Sequence, residues 1–267
     1  MINPELPSIY YLAMQAAIEA SKVISEIYKE DIVPTIKSDG SPVTKADLAA
    51  SKIIEAILKD TAIPILGEEL EKDSFEIRSK WTENWCVDPL DGTQMFLRKN
   101  GEFAVNIAHV KEGKAIFGII ASPMDLQLLI GGPEYGAFIL DFNQLDDRTK
   151  WNELSPHSNA NDPLAIICSR SYREGDGAES MKEHTKDHDS IYIRKGSALK
   201  FFDLALGTAD IYPRFAPTME WDIAAGQAIL ETLGGTVIDA HTQKALVYNK
   251  ESLYNPHFIA KTKALTV

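Results

Sequence analysis

Apolar residues near the N-terminus recur every three or four positions, which is the spacing of a buried helix face. The pattern covers residues 9–27 and 53–58. Ser8 stands where an N-cap would begin the first helix, and Thr44 where one would begin the second, with Asp47 three residues further on. The pattern therefore predicts two amphipathic helices.

Shorter apolar runs follow, separated by turn residues. Runs at 63–66 and 85–87 lead directly into segments with acidic residues. Between residues 103 and 140, four further runs are joined by short segments rich in Gly, Pro and charged residues, which predicts an antiparallel meander. These four predicted strands are 103–110, 115–121, 126–130 and 137–140.

The pattern changes after a polar segment that runs from Asp141 to Asp162. Beyond it, strand-like and helix-like segments alternate, which is typical of an α/β layer. The predicted order is strand 164–169, helix 171–184, strand 190–195, helix 197–208, strand 209–214, helix 220–233 and strand 236–239. We therefore predict an α/β fold, with an α+β N-terminal half over residues 1–157 and an α/β C-terminal half over residues 158–267.

The charge of the chain excludes some classes of partner. The sequence has 27 Lys and Arg against 39 Asp and Glu, a net charge of −12. Because it contains no basic block, we do not expect it to bind nucleic-acid polymers or to carry a basic membrane-surface helix. Its 45% of hydrophobic residues are ample for a large core. We expect a globular protein, and the sequence leaves monomer and homodimer open.

Apolar segments and cysteines bear on the compartment. No run approaches the roughly 20 apolar residues that cross a bilayer. The N-terminus lacks the basic region and uninterrupted apolar core of a secretion signal. Cys86 and Cys168 are too few for a disulfide framework and lack metal-ligand spacing. We predict a cytoplasmic protein without an integral membrane segment, and leave open a peripheral contact with the inner face of the cell membrane.

Three groups of acidic residues stand at the ends of predicted strands or at the start of a predicted helix. They are Gly67-Glu68-Glu69, Asp88-Pro89-Leu90-Asp91-Gly92-Thr93 and Glu220-Trp221-Asp222. Each has an ordinary explanation taken singly: solvated surface glutamates, an Asp-Gly turn, and an acid stabilised by a helix dipole. Taken together they favour a ligand site, since α/β proteins gather ligand groups at these positions.

The middle group has the chemistry of a magnesium site. Asp88 and Asp91 are held three residues apart by a predicted proline-stiffened turn, which would bring the two carboxylates together with the Leu90 carbonyl between them. Carboxylate and carbonyl oxygens are the ligands that Mg²⁺ prefers. Gly92 and Thr93 would begin a short helix whose free N–H groups bind an anion. A metal cluster beside an anion site indicates metal-assisted phosphoester hydrolysis.

These motifs, in this order and together with Trp221-Asp222-Ile223-Ala224-Ala225-Gly226, resemble the inositol monophosphatase-like phosphatases. The resemblance extends from Lys37 to Phe258. It implies a layered αβαβα sandwich of the inositol monophosphatase and sugar phosphatase type. It also implies an Mg²⁺-dependent, lithium-sensitive phosphoric monoester hydrolase with two or three ions.

Three further segments are similar to one branch, the 3'(2'),5'-bisphosphate nucleotidases of the CysQ type. They are Asn100-Gly101-Glu102-Phe103-Ala104-Val105-Asn106-Ile107-Ala108, Gly196-Ser197-Ala198-Leu199-Lys200-Phe201 and Tyr212-Pro213-Arg214-Phe215-Ala216-Pro217-Thr218. This branch hydrolyses adenosine 3',5'-bisphosphate, which sulfate assimilation leaves over, to AMP and phosphate. The chain departs from the branch at Gln94-Met95, where Lys-Glu is usual.

The resemblance implies a set of metal ligands. Glu68, Asp88 and the Leu90 carbonyl would hold a first Mg²⁺, and Asp88, Asp91 and Asp222 a second. Glu69 would support these ligands and not bind the ion itself.

Other residues would act on the water and the phosphate. Thr93 with Glu68 would orient the attacking water, and the N–H groups of Gly92 and Thr93 would bind the phosphate. Asp47 would reach a looser third ion together with Glu68. Asp47 also has a purely structural explanation, because Thr44-x-x-Asp47 resembles a capping box.

The phosphate that is not cleaved needs a cation of its own. Lys200 and Arg214 are the candidates from the branch resemblance, with a hydroxyl from Ser197 and a close backbone approach at Gly196. Ser169–Ser171 are further candidates for the pocket wall. Without the resemblance, Lys200 on a helix would most often be solvated, and Arg214 could simply pair with a surface acid.

The predicted substrate pocket joins the acids to the specificity residues. It consists of Glu68, Asp91, Gly92, Thr93, Ser197, Lys200, Arg214 and Asp222. Two alternatives stay open: an inositol or sugar phosphate monoesterase on the same fold, and a non-catalytic metal or phosphate sensor. The fold and the metal ligands do not choose between the two kinds of monoesterase.

Overall fold

The structure, a computed structural model, describes residues 5–37, 40–170, 172, 181, 185 and 188–266. The helix predicted at 171–184 lies mostly outside these residues, as does Ser171. Nearly all other predicted elements can therefore be compared with the structure.

The helices and strands are numbered in chain order. The helices are α1 Ser8–Tyr28, α2 Lys45–Leu58, α3 Phe75–Arg78, α4 Thr93–Leu97, α5 Lys200–Leu206 and α6 Glu220–Thr232. The strands are β1 Thr35–Ile36, β2 Pro42–Val43, β3 Ile65–Gly67, β4 Glu83–Asp91, β5 Ala104–Lys111, β6 Lys114–Ser122, β7 Gln127–Gly132, β8 Gly136–Asp141, β9 Asn152–Glu153, β10 Leu164–Cys168, β11 Ser190–Arg194, β12 Ile211–Arg214, β13 Thr236–Asp239 and β14 Phe258–Lys261.

Two sheets contain most of the strands. The first has the order β3-β4-β5-β6-β7-β8-β9, with β3 and β4 parallel and the other neighbours antiparallel. This confirms the predicted meander. The second has the order β11-β10-β12-β14-β13, in which β14 is antiparallel to both of its neighbours. The four-residue β14 was not predicted, because its apolar run is too short to signal a strand.

Alternate residues of the first sheet face two different cores. In β5, Val105 and Ile107 pack with α1 and α2, whereas Ala104 and Ala108 pack with α5, α6 and the second sheet. This alternation of sides is the two-residue period of a strand covered on both faces. The layers therefore run helices, sheet, helices, sheet, which confirms the predicted α/β layered fold.

Two further predictions concern the boundary between the two halves of the chain and the start of the first helix. The first sheet ends at Glu153 and the second begins at Leu164, while α6 packs against strands of both sheets. The division into units at 157 and 158 stays a prediction. The N-cap predicted at Ser8 is wrong: Pro7 occupies the cap position, Ser8 is the first helical residue, and no side chain caps this helix.

Cys86 and Cys168 are both buried free thiols. Over the described ranges, no helix has the length and apolar character needed to cross a membrane.

Helix α6 lies unusually close to the first sheet. A Cβ added to Gly118 on β6 would lie 2.1 Å from the carbonyl oxygen of Ala225 on α6. A Cβ added to Gly226 would lie 2.2 Å from the ring of Phe201 on α5. Because glycine has no side chain, these two positions allow α6 to approach the first sheet and α5 closely. Helix α6 is the helix that carries Asp222.

We expect Gly118→Ala to lower the free energy of unfolding by about 1–3 kcal/mol, because the helix must move away from the sheet. Denaturant unfolding followed by circular dichroism measures the change. Lys114→Ala, at the exposed end of the same strand, is the matched control and should stay within about 0.5 kcal/mol of the parent chain. Equal stability of the Gly118→Ala variant and the parent would contradict the close approach.

Candidate active site

The acidic groups meet at one edge of the first sheet. Because β3 and β4 are parallel neighbours, their carboxyl ends lie side by side. Glu68 follows β3, and its N–H donates to the Val87 carbonyl at 3.0 Å. Asp88 and Asp91 occupy the last positions of β4. The sheet thus delivers three carboxylates to one place.

The local backbone at Asp88–Asp91 differs from the prediction. Instead of leaving the sheet in a turn, β4 continues to Asp91, and its register against β5 shifts between Asp88 and Asp91. A ladder irregularity accommodates Pro89, which has no N–H to donate. The Leu90 N–H donates to Oδ1 of Asp88 at 3.0 Å, which holds that carboxylate.

Asp222 completes the acidic cluster from the first turn of α6. Carboxylate oxygens of Asp88, Asp91 and Asp222 all lie within 4.8 Å of one another. Asp88 is buried and the other two are half-buried. Oδ2 of Asp222 also accepts from the Met219 N–H at 2.8 Å, so the helix start orients this side chain.

Burial and mutual repulsion make this cluster costly as bare anions. Burial, followed by the charge of Glu68, raises the pKa of Asp88 well above its ordinary value. Burial and the neighbouring Asp91 raise the pKa of Asp222 to about 8. The pKa of Asp91 is also raised by burial. A divalent cation would reverse this penalty, and an all-oxygen donor set of this kind fits Mg²⁺.

Thr93, at the start of α4, is held beside the cluster. Its hydroxyl donates to Oδ1 of Asp47 at 3.0 Å and lies 3.3 Å from the Leu90 carbonyl. Oδ2 of Asp47 accepts from the Thr44 N–H at 2.8 Å. The capping box is therefore present, and the same carboxylate also reaches Thr93. Asp47 is buried, which raises its pKa.

Lys37 is a neighbour of the acids that sequence reasoning missed. Its ammonium donates to Oε1 of Glu68 at 2.9 Å and to Glu69 as well. The Glu69 side chain is only 6% exposed, so this glutamate is not a solvated surface group. The polar loop that precedes β2 gives no periodic signal that would have placed Lys37 here.

The loop before α5 forms the opposite side of the site. Ser197 has φ = 57°, the left-handed conformation that non-glycine residues rarely adopt. The next N–H, of Ala198, donates to Oδ2 of Asp91. Asn106 on β5 also reaches this oxygen, with its Nδ2 at 3.4 Å. The loop is thereby attached directly to one of the clustered acids.

Lys200 is buried, so the solvated-helix explanation is wrong. The residue is only 3% exposed. Burial lowers the pKa of its ammonium group to about 8, although the charge of Asp91 opposes this shift. The ammonium donates to the Ser197 carbonyl and lies 4.7 Å from the centre of the Tyr212 ring. It therefore stabilises its own loop and also faces the site.

Arg214, at the end of β12, forms no salt bridge with the described acids, although its charge opposes the rise in the pKa of Asp222. Its Nη2 donates to the Pro217 carbonyl at 3.3 Å. Its Nε is buried and has no hydrogen-bond partner in the described part of the chain. An unpartnered guanidinium N–H is a donor available for an anion.

One cleft is lined by both acidic and cationic side chains. Its volume is about 640 Å³, and its walls include Glu68, Asp91, Asp222, Lys200, Arg170 and Arg214. Gln94 and Met95, the departure from the branch pattern, also line it. A more open polar cavity of about 810 Å³ lies near Asp162 and Asp189, but Lys and Arg are missing from its described walls. Of these two cavities, the first combines clustered acids with cationic side chains.

Comparison with known proteins places the chain in a family. The model of the inositol monophosphatase family matches residues 5–266. The chain belongs to the inositol monophosphatase family. This family is metal-dependent, generally on Mg²⁺, and the acidic cluster is consistent with that property.

Similar individual proteins share one name. The 3'(2'),5'-bisphosphate nucleotidase CysQ of Escherichia coli strain K12 is 35% identical over 250 residues, covering 91% of this chain and 96% of that protein. The protein of the same name from Buchnera aphidicola (subsp. Acyrthosiphon pisum) is 40% identical over 228 residues, 84% of this chain and 81% of its own. The crystal structure of CysQ from Bacteroides thetaiotaomicron superposes with a TM-score of 0.81 at 37% identity, covering 94% and 96% of the two chains.

The repulsion in the cluster predicts opposite effects of one substitution with and without metal. Without metal, Asp222→Asn should raise the thermal midpoint by about 2–4 °C for each kcal/mol of relieved repulsion. With Mg²⁺ present, the same variant should lose most of the stabilisation that the parent gains on binding the ion. Thermal unfolding in chelator and in Mg²⁺ measures both effects.

Asp60→Asn serves as the control for that measurement, since Asp60 is exposed and remote from the cluster. It should leave both midpoints unchanged. The metal site would be contradicted if Asp222→Asn lowered the thermal midpoint in chelator and was still fully stabilised by Mg²⁺.

Proposed function

We propose that the chain is a metal-dependent 3'(2'),5'-bisphosphate nucleotidase. It hydrolyses the 3'-phosphate of adenosine 3',5'-bisphosphate to give AMP and phosphate, a reaction that serves sulfate assimilation. The observation that carries the proposal is one cleft whose walls include two acids of the carboxylate cluster, Asp91 and Asp222, together with two cationic side chains, the buried Lys200 and Arg214 with its unpartnered Nε. The name shared by the similar proteins supports it.

The metal ligands are those of the sequence prediction. Glu68, Asp88, Asp91, Asp222 and the Leu90 carbonyl would hold two or three Mg²⁺ ions. When bound, the ions acidify a water molecule and neutralise the charge that develops on the phosphoryl group. The clustering of carboxylate oxygens within 4.8 Å supports this assignment for three of the residues.

Thr93 and Asp47 orient the attacking water. Because the Thr93 hydroxyl donates its proton to Oδ1 of Asp47, its lone pairs are left to accept a hydrogen bond from the water. Glu68 supplies a second acceptor across the cleft. Phosphoryl transfer depends chiefly on such positioning and on charge stabilisation. Asp47 thus acts on the reaction through Thr93 while it caps α2.

The phosphate that is cleaved binds at the start of α4. The N–H groups of Gly92 and Thr93 point out of the first helical turn, where they have no intrahelical acceptor. Gly92 has φ = 95°, a left-handed conformation that suits glycine. An anion bound there would lie beside Thr93 and the acidic cluster, which is the placement that attack in line with the leaving 3'-oxygen requires.

The phosphate that is retained binds to the cations. Lys200 and Arg214 contribute charge and N–H donors, and Ser197 contributes its hydroxyl at the loop between them and Asp91. A bound phosphate would favour the charged form of Lys200 and offset its burial. The cytoplasmic location, and the choice between monomer and homodimer, stay predictions from the sequence.

Phosphate release from three substrates tests the proposal. With Mg²⁺ present, adenosine 3',5'-bisphosphate should have a kcat/KM at least about tenfold above inositol 1-phosphate, which has no second phosphate for the cations, and above fructose 1,6-bisphosphate, whose second phosphate is held on a different carbon skeleton. Added Li⁺ should inhibit. Asp91→Asn should lose nearly all turnover.

Two results would contradict the proposal. A preference for inositol 1-phosphate would favour the monoesterase alternative, which needs no cation for a second phosphate. Ion binding without turnover of any substrate would favour the sensor.

Lys200→Met should discriminate between substrates with one and two phosphates. Loss of a charged partner should raise the KM for adenosine 3',5'-bisphosphate about tenfold and leave that for adenosine 3'-monophosphate within about threefold. Methionine keeps most of the buried volume. Lys244→Met, at an exposed position, is the control. Equal losses on both substrates would remove Lys200 from the phosphate site.

A further inference from the structure

Glu102 belongs to a motif that the proposed reaction does not use. It precedes β5, and its carboxylate is the centre of several contacts. Oε2 accepts from the Gly196 N–H at 2.9 Å, and Nδ2 of Asn100 lies 3.4 Å from the same oxygen. The guanidinium of Arg170 donates to both carboxylate oxygens. One side chain thus joins the first sheet, the end of β10 and the loop before α5.

Two glycine loops also pack against the backbone of Glu102. A Cβ added to Gly92 would lie 2.9 Å from the Glu102 carbonyl oxygen. A Cβ added to Gly196 would lie 3.0 Å from the same oxygen and 3.0 Å from the Glu102 Cβ. The loop that binds the cleaved phosphate and the loop that faces the retained one therefore touch the same residue from two sides.

The contact at Gly196 is transmitted along its loop. Ser197 follows in the left-handed conformation, and Ala198 then donates to Asp91. The Ser197 carbonyl accepts from the ammonium of Lys200. An unfavourable backbone conformation is therefore held at one end by Glu102 and at the other by Asp91. If the first attachment is lost, the loop can move relative to the acids.

Arg170 acts on this arrangement through Glu102. Its bidentate pair uses two of the five guanidinium donors and keeps the carboxylate ionised, in agreement with a pKa of Glu102 that the Arg170 hydrogen bonds hold below its ordinary value. The Glu102 side chain is 17% exposed and that of Arg170 is 44% exposed. The acid is thus the less exposed member of the pair and the arginine its outer support.

We propose that Glu102 is a positioning residue that sets the separation between the Gly92 loop and the Gly196–Ala198 loop, and thereby the preference for substrates with two phosphates. The inference rests on the proposed function for its substrate. Its structural part, the attachment of the Gly196–Ala198 loop, does not depend on any substrate.

The first test compares Glu102→Ala with Glu102→Gln. Glu102→Ala should lower the ratio of kcat/KM for adenosine 3',5'-bisphosphate to that for adenosine 3'-monophosphate about tenfold, mainly through the KM of the bisphosphate. Glu102→Gln keeps an acceptor for the Gly196 N–H and should recover the ratio to within about threefold. Equal losses on both substrates, or failure of glutamine to restore the ratio, would overturn the proposal.

The second test needs no substrate. Amide hydrogen exchange at Gly196 and Ala198 should be at least about tenfold faster in Glu102→Ala than in the parent, because the loop has lost one of its attachments. Glu19→Gln, which removes only the exposed pair with Lys22 at 2.7 Å, is the control and should leave exchange unchanged. Unchanged exchange in Glu102→Ala would refute the positioning role. If the parent does not cleave the bisphosphate, the proposed function and the substrate part of this inference fail, and the exchange result still decides its structural part.

Discussion

Repulsion among clustered carboxylates is the constraint on which the site depends. Asp88, Asp91 and Asp222 lie within 4.8 Å of one another in surroundings that raise the pKa of each. A fold that only had to be stable would not gather these groups, since unpaired buried charge is costly. The arrangement becomes favourable when a divalent cation occupies it. The raised pKa values of these three acids thus agree with the metal dependence of the family.

The rest of the architecture serves to keep these acids together. Two come from the end of β4, and the third comes from α6, which lies between the two sheets. That helix reaches the first sheet closely because Gly118 has no side chain. Charge of the opposite sign lies on the other side of the same cleft, where Lys200 is buried against Tyr212. Under the proposed function, an acidic protein would bind a doubly phosphorylated nucleotide because the metals and these cations would reverse the sign of the charge locally.

Much of this was predictable from local sequence, and the remainder depends on distant contacts. The meander, the alternating C-terminal elements and the carboxylate motifs follow from periodicity and from short motifs. The continuation of β4 to Asp91 could not be predicted in this way, because it depends on pairing with β5. Lys37 and Arg170 were not recognised as partners of Glu68 and Glu102, since nothing in a single sequence shows which loop meets which strand end.

A crystal structure with Ca²⁺ and adenosine 3',5'-bisphosphate tests the central claim most directly. Ca²⁺ takes the same oxygen ligands as Mg²⁺. The account predicts ions coordinated by Asp88, Asp91 and Asp222, the 3'-phosphate against them, and the 5'-phosphate within hydrogen-bond distance of Lys200 and Arg214. A nucleotide bound with its 5'-phosphate away from both cations, or a cluster without ions, would contradict it.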